Sequence, residues 1–362
     1  MGAPRAQPAP ADRPLRLINS AAPIRICDNG GWTDTWFAGH GRIFNIGVAP
    51  CVEVQIAVYP RAARAEQVLL HAENYGHRYA LAPGDWSQAR AIAARHPLLE
   101  AAVAELAPPD EYALEITIHS VVPAGCSTGT SAAVTVALIG ALDALTPGRL
   151  TPHEVAYAAH RIEVDRLQLQ SGIQDQLCSA YGGICFIDMH AYPHASVSQI
   201  ALPDPIWWEL ERRLVLVFLG RAHSSSAVHQ KVIAELEGEG HASPRLARLR
   251  DMALRSRDAL YAADFAALGR TMAENTELQS ALHPDLVSPD AWQLIALARE
   301  HGALGWKVNG AGGDGGSVAL LCGPDASARR GLLSAIPQLN PLFQPIPIAL
   351  SRHGLRVWAS PL

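Results

Sequence analysis

The sequence predicts an α+β protein built as two lobes, on three observations. At 362 residues the chain is longer than a single hydrophobic core usually grows. Apolar residues alternate at Val52, Val54, Ile56 and Val58, and again at Leu114, Ile116 and Ile118, the period of half-buried strands. Helical patterns lie between such strands without the regular βαβ beat of a parallel wheel, so mixed sheets with helices packed on them are expected.

Residues 1–14, "MGAPRAQPAPADRP", are rich in Ala and Pro, carry no apolar signal core, and place Ala6 where a myristoylation pattern wants Ser or Thr. They read as a disordered tail. Strands follow at "APIRIC", "RIFNIGVAP", "CVEVQIAVYP" and "YALEITIHS", the first two separated by the polar loop "DNGGWTDTWFAGHG". The last strand runs into "VVPAGCSTGTSAAVTVALIGAL", a bare small-residue tip that becomes a helix over 131–145 and stops at "TPGRLTP". Thr151 caps a second helix with Pro152 at its first position, expected to continue to Gly172. "GIQDQLCSAYGG" reads as a short helix closed by glycines and "ICFIDM" as a strand. Prolines coincide with a composition shift in "ALPDPIWWELERR", which sets the expected lobes at 15–205 and 206–362. Beyond it come a strand at "LVLVFLG", amphipathic helices between 226 and 301, strands at "LGWKVNG" and "SVALLC" around a glycine cluster, and further strands in "PIPIAL" and "LRVWAS".

Bulk properties exclude several classes. A formal net charge of −5 argues against a nucleic-acid-binding protein. The longest apolar run, Ala132 to Leu142, is far short of the roughly 20 residues that cross a bilayer, so no membrane span is expected. The six cysteines are scattered without a CxxC pair, which reads as core packing in a cytoplasmic protein rather than a disulfide or zinc framework. His223 and His229, six apart, do not share a helical face and are not read as a metal pair.

Three segments carry chemistry. In "PAGCSTGTSAA", between a strand and a helix, Gly125 and Gly129 would let phosphate oxygens approach the backbone at the positive end of a helix, with Thr130 and Ser131 as hydroxyl donors or magnesium ligands. An ordinary capped helix after a tight loop fits the same residues, and the Gly-Lys-Ser/Thr ending of a Walker A loop is missing. The second segment, "KVNGAGGDGGSVAL", spends five glycines in seven positions, each costing roughly 1 kcal/mol relative to Ala in a regular element, so something must come close to that backbone. The third is distributed: Arg25, Asp34, Glu163 and Asp175 are charges set in apolar or small surroundings. A carboxylate there could hold magnesium or accept a hydroxyl proton with an arginine to steady it, although any one of them taken alone reads first as a solvated surface charge, which is what most Asp and Glu are.

Together, in this order and spacing, these segments resemble the GHMP kinase superfamily. "APIRICDNGGWTD" resembles its first motif, "PAGCSTGTSAA" its second and "KVNGAGGDGG" its third, while "GIQDQ" is similar to the Gly-x-x-Asp-Gln of its sugar kinases, with Glu163 twelve residues before Asp175. "GGWTDT" with "GRIFNIGV" is most similar to the sugar-1-kinase branch of fucokinase, arabinokinase and heptose 7-phosphate kinases, and "GRAHSSSAVHQKVI" is similar to that branch's helix start beside the substrate. The second motif departs from the pattern at Ser127 and Thr128, the third at Asp314, which is expected to point away from the phosphates.

The resemblance implies a mixed α/β N-terminal lobe holding the nucleotide, a ferredoxin-like C-terminal lobe, and ATP with Mg²⁺ as cofactors. Pro123, Gly125, Ser127, Thr128, Gly129, Thr130 and Ser131, with Gly310, Gly312 and Gly313, would hold the nucleotide phosphates. Asp175 would accept the proton of the attacking hydroxyl with Arg25 as its counter-charge. Ser131 and Glu163 would hold the metal. Trp32, Thr33, Asp34 and Gln174 would bind the sugar, joined by Arg221, His223 and Ser224 if it carries a distal phosphate. The implied reaction moves the γ-phosphate of ATP to a sugar hydroxyl, the anomeric one by resemblance, of a heptose 7-phosphate or a related free sugar. A mevalonate-like acid substrate and a catalytically silent nucleotide- or sugar-binding protein are the alternatives. The only partner implied is the small-molecule substrate, and a homodimer is compatible with it.

Overall fold

The computed structural model describes residues 13–81, 95–146, 149–222 and 227–361. Two long strands, β1 (Arg16–Asn29) and β2 (Gly41–Pro60), form the spine of the N-terminal lobe, joined through the loop 30–40. β3 (Val68–Ala72) and β4 (His77–Leu81) pair antiparallel, and α1 (Pro97–Glu105) precedes β5 (Tyr112–His119). With 20 residues β2 serves two neighbours: its second half pairs with β5, and its first half with a later strand. β5 in turn holds β3 in parallel, so the sheet is mixed.

After β5 the chain turns into α2 (Thr130–Asp143), then α3 (Pro152–Arg161) and α4 (Gln174–Tyr181), which pack on one another, with α2 and α4 also against β1 and β2. α2 is apolar on nearly every side and lies in the core; that is why its run of Ala, Val, Leu and Ile lacks a polar face. α3 starts on a full capping box, the Thr151 side chain accepting from Glu154 N–H while the Glu154 side chain accepts from Thr151 N–H. It does not continue to Gly172 as expected. Beyond Arg161 it opens into a π-helical turn over Ile162–Arg166, and the chain then leaves the helix. β6 (Ile184–Ala191) and β7 (His194–Gln199) complete this side of the sheet, β6 taking the first half of β2.

α5 (Asp204–Arg213) leads to β8 (Leu214–Phe218), followed by α6 (Ala227–Glu239), α7 (Pro244–Tyr261), α8 (Phe265–Leu282), α9 (Pro289–Glu300), β9 (Gly305–Val308), β10 (Ser317–Leu321), α10 (Ala326–Leu339) and β11 (Gln344–Ile346). The four strands of this lobe lie in the order β11-β8-β10-β9, every pair antiparallel, the ferredoxin-like arrangement expected. A separate core of Val217, Leu294, Val308, Leu320, Leu332 and Ile336 sits between that sheet and α9 and α10.

The expected division at 205/206 separates the two sheets only up to β11. Short β12 (Ala349–Leu350) then pairs with β2, and β13 (Arg356–Ser360) runs antiparallel along β1, with Leu17 opposite Ser360. The last strands therefore belong to the N-terminal sheet, which has nine strands among the described residues. α7 and α8 also pack on β1, and the larger core runs without a break from Ile24 and Phe44 to Leu216, Phe218 and Met272. Among the described residues no helix is long and apolar enough to cross a membrane.

Candidate active site

The small-residue turn after β5 closes against the end of β1. Arg25 N–H donates to Thr128 O at 2.9 Å, and Arg25 Nη1 donates to Ser127 O at 2.5 Å. The rest of that guanidinium forms a fork on Asp175 at the start of α4, Nε to Oδ1 at 2.8 Å and Nη2 to Oδ2 at 3.1 Å. One side chain thus ties the first motif, the second-motif turn and the carboxylate together. Ser127 and Gly129 both have positive φ, +59° and +68°. At Gly129 the need for glycine is double, because a Cβ there would lie 3.1 Å from Asp175 Cγ.

The third-motif turn arrives from the other lobe. A Cβ on Gly310 would lie 3.2 Å from Ser127 O, so the two glycine turns, far apart in sequence, are in contact. A buried carboxylate holds them there. Asp28 is 1% exposed, and its two oxygens share Gly310 N–H at 3.1 Å each. Lys307 Nζ lies 3.4 Å and Arg25 Nη1 3.9 Å from Asp28 Oδ1. Lys307 is as buried as Asp28 and also donates to Gln279 Oε1 at 3.0 Å; burial lowers its pKa, and Asp28 opposes that shift. Cys27 N–H to Asn309 Oδ1 at 3.0 Å adds another bond across the lobes.

Beside the turns opens a cleft of about 1300 Å³ lined by Arg25, Ser131, Glu163, Asp175 and Gly310, and also by Trp32, Asp34, Trp36, Gln174 and His229. Asp34 is buried; Gln174 N–H donates to its Oδ2 at 3.0 Å. A Cβ on Gly172 would fall 2.1 Å from that oxygen, so glycine there makes room for the carboxylate. Burial pushes the Asp34 carboxyl up to about 6, with Gln174 N–H pulling the other way and the Asp175 charge adding to the rise. Glu163 sits on the π-helical turn, which carries it into the cleft wall, a placement typical of π-bulges at functional sites. Its carboxyl is raised to about 7, mainly by burial; the Ser171 hydroxyl donates to it at 2.6 Å and offsets part of the rise.

Most of the expected residues meet here. Ser131, Gly310, Trp32, Asp34, Gln174, Glu163, Asp175 and Arg25 line one cleft. Pro123, Gly125, Ser127, Thr128, Gly129 and Thr130 form the turn behind Ser131, with Thr128 Oγ1 and Thr130 Oγ1 3.1 Å apart. Gly312 and Gly313 shape the facing turn: Gly312 O lies 3.1 Å from His229 Nε2, and Gly313 N–H donates to Leu286 O at 2.9 Å.

Two expected substrate contacts are corrected. The fully buried Thr33 hydroxyl donates to Gly30 O at 2.8 Å, holding the loop 30–40 rather than lining the cleft. Arg221 is exposed outside the cleft wall, 3.6 Å from Asp314, which is itself 75% exposed and turned to solvent. His223 and Ser224 lie outside the described residues. The sequence reading missed Asp28 and Lys307. Lys307 stood inside the third motif, and a lone acid at the end of a buried strand was the available signal for its partner.

The chain matches the GHMP kinases N terminal domain over residues 94–183 and the GHMP kinases C terminal domain over 256–338. It is 24% identical to the D-glycero-alpha-D-manno-heptose 7-phosphate kinase of Campylobacter jejuni over 68% of this chain and 71% of that protein. It is 32% identical to the mevalonate kinase of Thermococcus sibiricus over 67% of this chain and 68% of that protein. The crystal structure of a D-glycero-D-manno-heptose 1-phosphate kinase from Bacteroides thetaiotaomicron superposes with a TM-score of 0.70, at 21% identity, over 94% of this chain and 98% of that one. Two lobes with facing glycine turns and a carboxylate at their junction define a small-molecule kinase. The chain belongs to the GHMP kinase family and is an ATP-dependent enzyme that phosphorylates a hydroxyl group.

Proposed function

We propose that the enzyme is a sugar kinase acting on the anomeric hydroxyl of a heptose 7-phosphate or a related free sugar. The observation that carries the mechanism is the contact of the two glycine turns beside the Arg25–Asp175 fork. Backbone N–H groups at the start of α2 and the positive end of its dipole suit the β- and γ-phosphates of ATP. A sugar held by Asp34 and Gln174 would present its hydroxyl to Asp175. As the hydroxyl oxygen bonds to the γ-phosphorus, the bond from that phosphorus to the bridging oxygen breaks, ADP leaves, and the hydroxyl proton passes to Asp175. Arg25 fixes both Asp175 oxygens, so the carboxylate meets the hydroxyl in one orientation.

Magnesium fits the residues present. Glu163 is a buried carboxylate on the cleft wall and Ser131 lines the same cleft, oxygen donors of the kind a divalent cation takes. Together they would hold Mg²⁺, which supplies charge neutralisation for the transferring phosphoryl group.

Asp175→Asn is expected to lower kcat by about 10² to 10⁴ while ATP still binds, read by ADP release and nucleotide titration. Native turnover in that variant would remove Asp175 as the base. The relative at 32% identity favours a second reading, a mevalonate-type acceptor, and R-mevalonate belongs in the same assay.

A further inference from the structure

The substrate end of the cleft selects for hydroxyl donors. Asp34 Oδ2 accepts Gln174 N–H and Oδ1 has Gln174 Nε2 at 3.5 Å, and a carboxylate with about four lone-pair sites keeps accepting capacity beyond these. Two side chains that line this wall, Gln174 and Trp32, are only 7% and 9% exposed, and among the described residues Gln174 Oε1 and Trp32 Nε1 are buried without a hydrogen-bond partner. An orphaned buried polar atom is unfavourable until something reaches it. A sugar hydroxyl can supply both kinds of partner, accepting from an indole N–H and donating to an amide or carboxylate oxygen. Phosphate dianions and carboxylates can only accept.

Charge points the same way. Glu237 stands at the rim, one oxygen accepting Trp36 Nε1–H at 2.7 Å, so an incoming anion would meet Asp34 within and Glu237 at the mouth. Arg25 is the arginine among the described lining residues, and its fork is committed to Asp175. Next to Glu237, Trp36 and Phe37 form an edge-to-face pair with centroids 5.1 Å apart, giving a wall for the C–H face of a pyranose ring.

We infer that the acceptor is an uncharged sugar, and that the acidic, acceptor-rich wall excludes sugar phosphates and carboxylic acids. The inference rests on the sugar-kinase reading and narrows it. A ligand carrying a dianion at its far end would set like charges together and leave the buried acceptors unmet.

The test is coupled ADP release by the full-length protein with Mg·ATP, using L-fucose, L-arabinose, D-mannose, D-mannose 6-phosphate, heptose 7-phosphate and R-mevalonate. The expected result is a kcat/KM for at least one neutral sugar about tenfold or more above either sugar phosphate. Glu237→Lys is expected to narrow that gap severalfold, and an unchanged gap counts against electrostatic exclusion. Preferred turnover of heptose 7-phosphate overturns the uncharged-substrate inference and leaves the sugar kinase standing. R-mevalonate as the best acceptor overturns the sugar reading itself.

Discussion

Asp34 and Glu163 set how the molecule answers to pH. Burial raises both, to about 6 and about 7, whereas in the unfolded chain they ionise at their ordinary values of 3.8 and 4.5. Between those limits the folded state binds more protons than the unfolded one. Stability from these groups is therefore full below the unfolded values and is lost as pH rises through about 6 to 7. The expected size is on the order of 3 kcal/mol per group at most, seen as a falling Tm of the ligand-free protein between about pH 4 and 7. Asp34→Asn and Glu163→Gln should each flatten that slope. A Tm profile unchanged in both variants would show that the two carboxyls ionise as they do in water. These residues were legible because each is a charge in a short run of small or apolar neighbours. Thr33 and Arg221 stood in equally suggestive runs, and only the direction of their side chains showed that one braces a loop and the other faces solvent.

Among the elements, the turn from β5 into α2 carries the most constraint. Gly129→Ala places a methyl group in left-handed backbone, at about 1 to 2 kcal/mol, and presses it toward Asp175. The expected outcome is a kcat loss of roughly 10²-fold with a Tm drop of only a few degrees, read by steady-state kinetics and thermal melting. A stability loss with native kcat would mean that the turn serves the fold alone. The helix that follows was readable from its apolar run, since burial on all sides needs no polar face. The π-helical turn after α3 was not readable. The periodicity of "HRIEVDRLQL" continues a helix, and the carboxylate is displaced toward the cleft by packing that no local pattern records.

For the whole molecule, the question is what makes two lobes one body. The buried Asp28–Lys307 pair joins them beside the two glycine turns, and Asp28→Ala would leave a buried ammonium without its counter-charge. Breaking such a pair costs about 3 to 5 kcal/mol, so a large fall in the urea midpoint is expected. A near-native midpoint would mean that water reaches Lys307. β13 covers the edge of β1, and a chain ending before Ala349 exposes that edge and is expected to aggregate on expression. Monomeric, active protein from that truncation would contradict the sheet order.

From local chemistry alone, the chain determined its strands, its glycine turns and the identity of its charged groups, because alternation, capping and glycine's backbone freedom act within a few residues. Tertiary structure decided what those groups do. The meeting of the two turns, the pairing of Asp28 with Gly310 some 282 residues away, and the return of the last strand to the first sheet all depend on contacts between distant segments. Such contacts form only when the core is buried as a whole, and no window of sequence contains them.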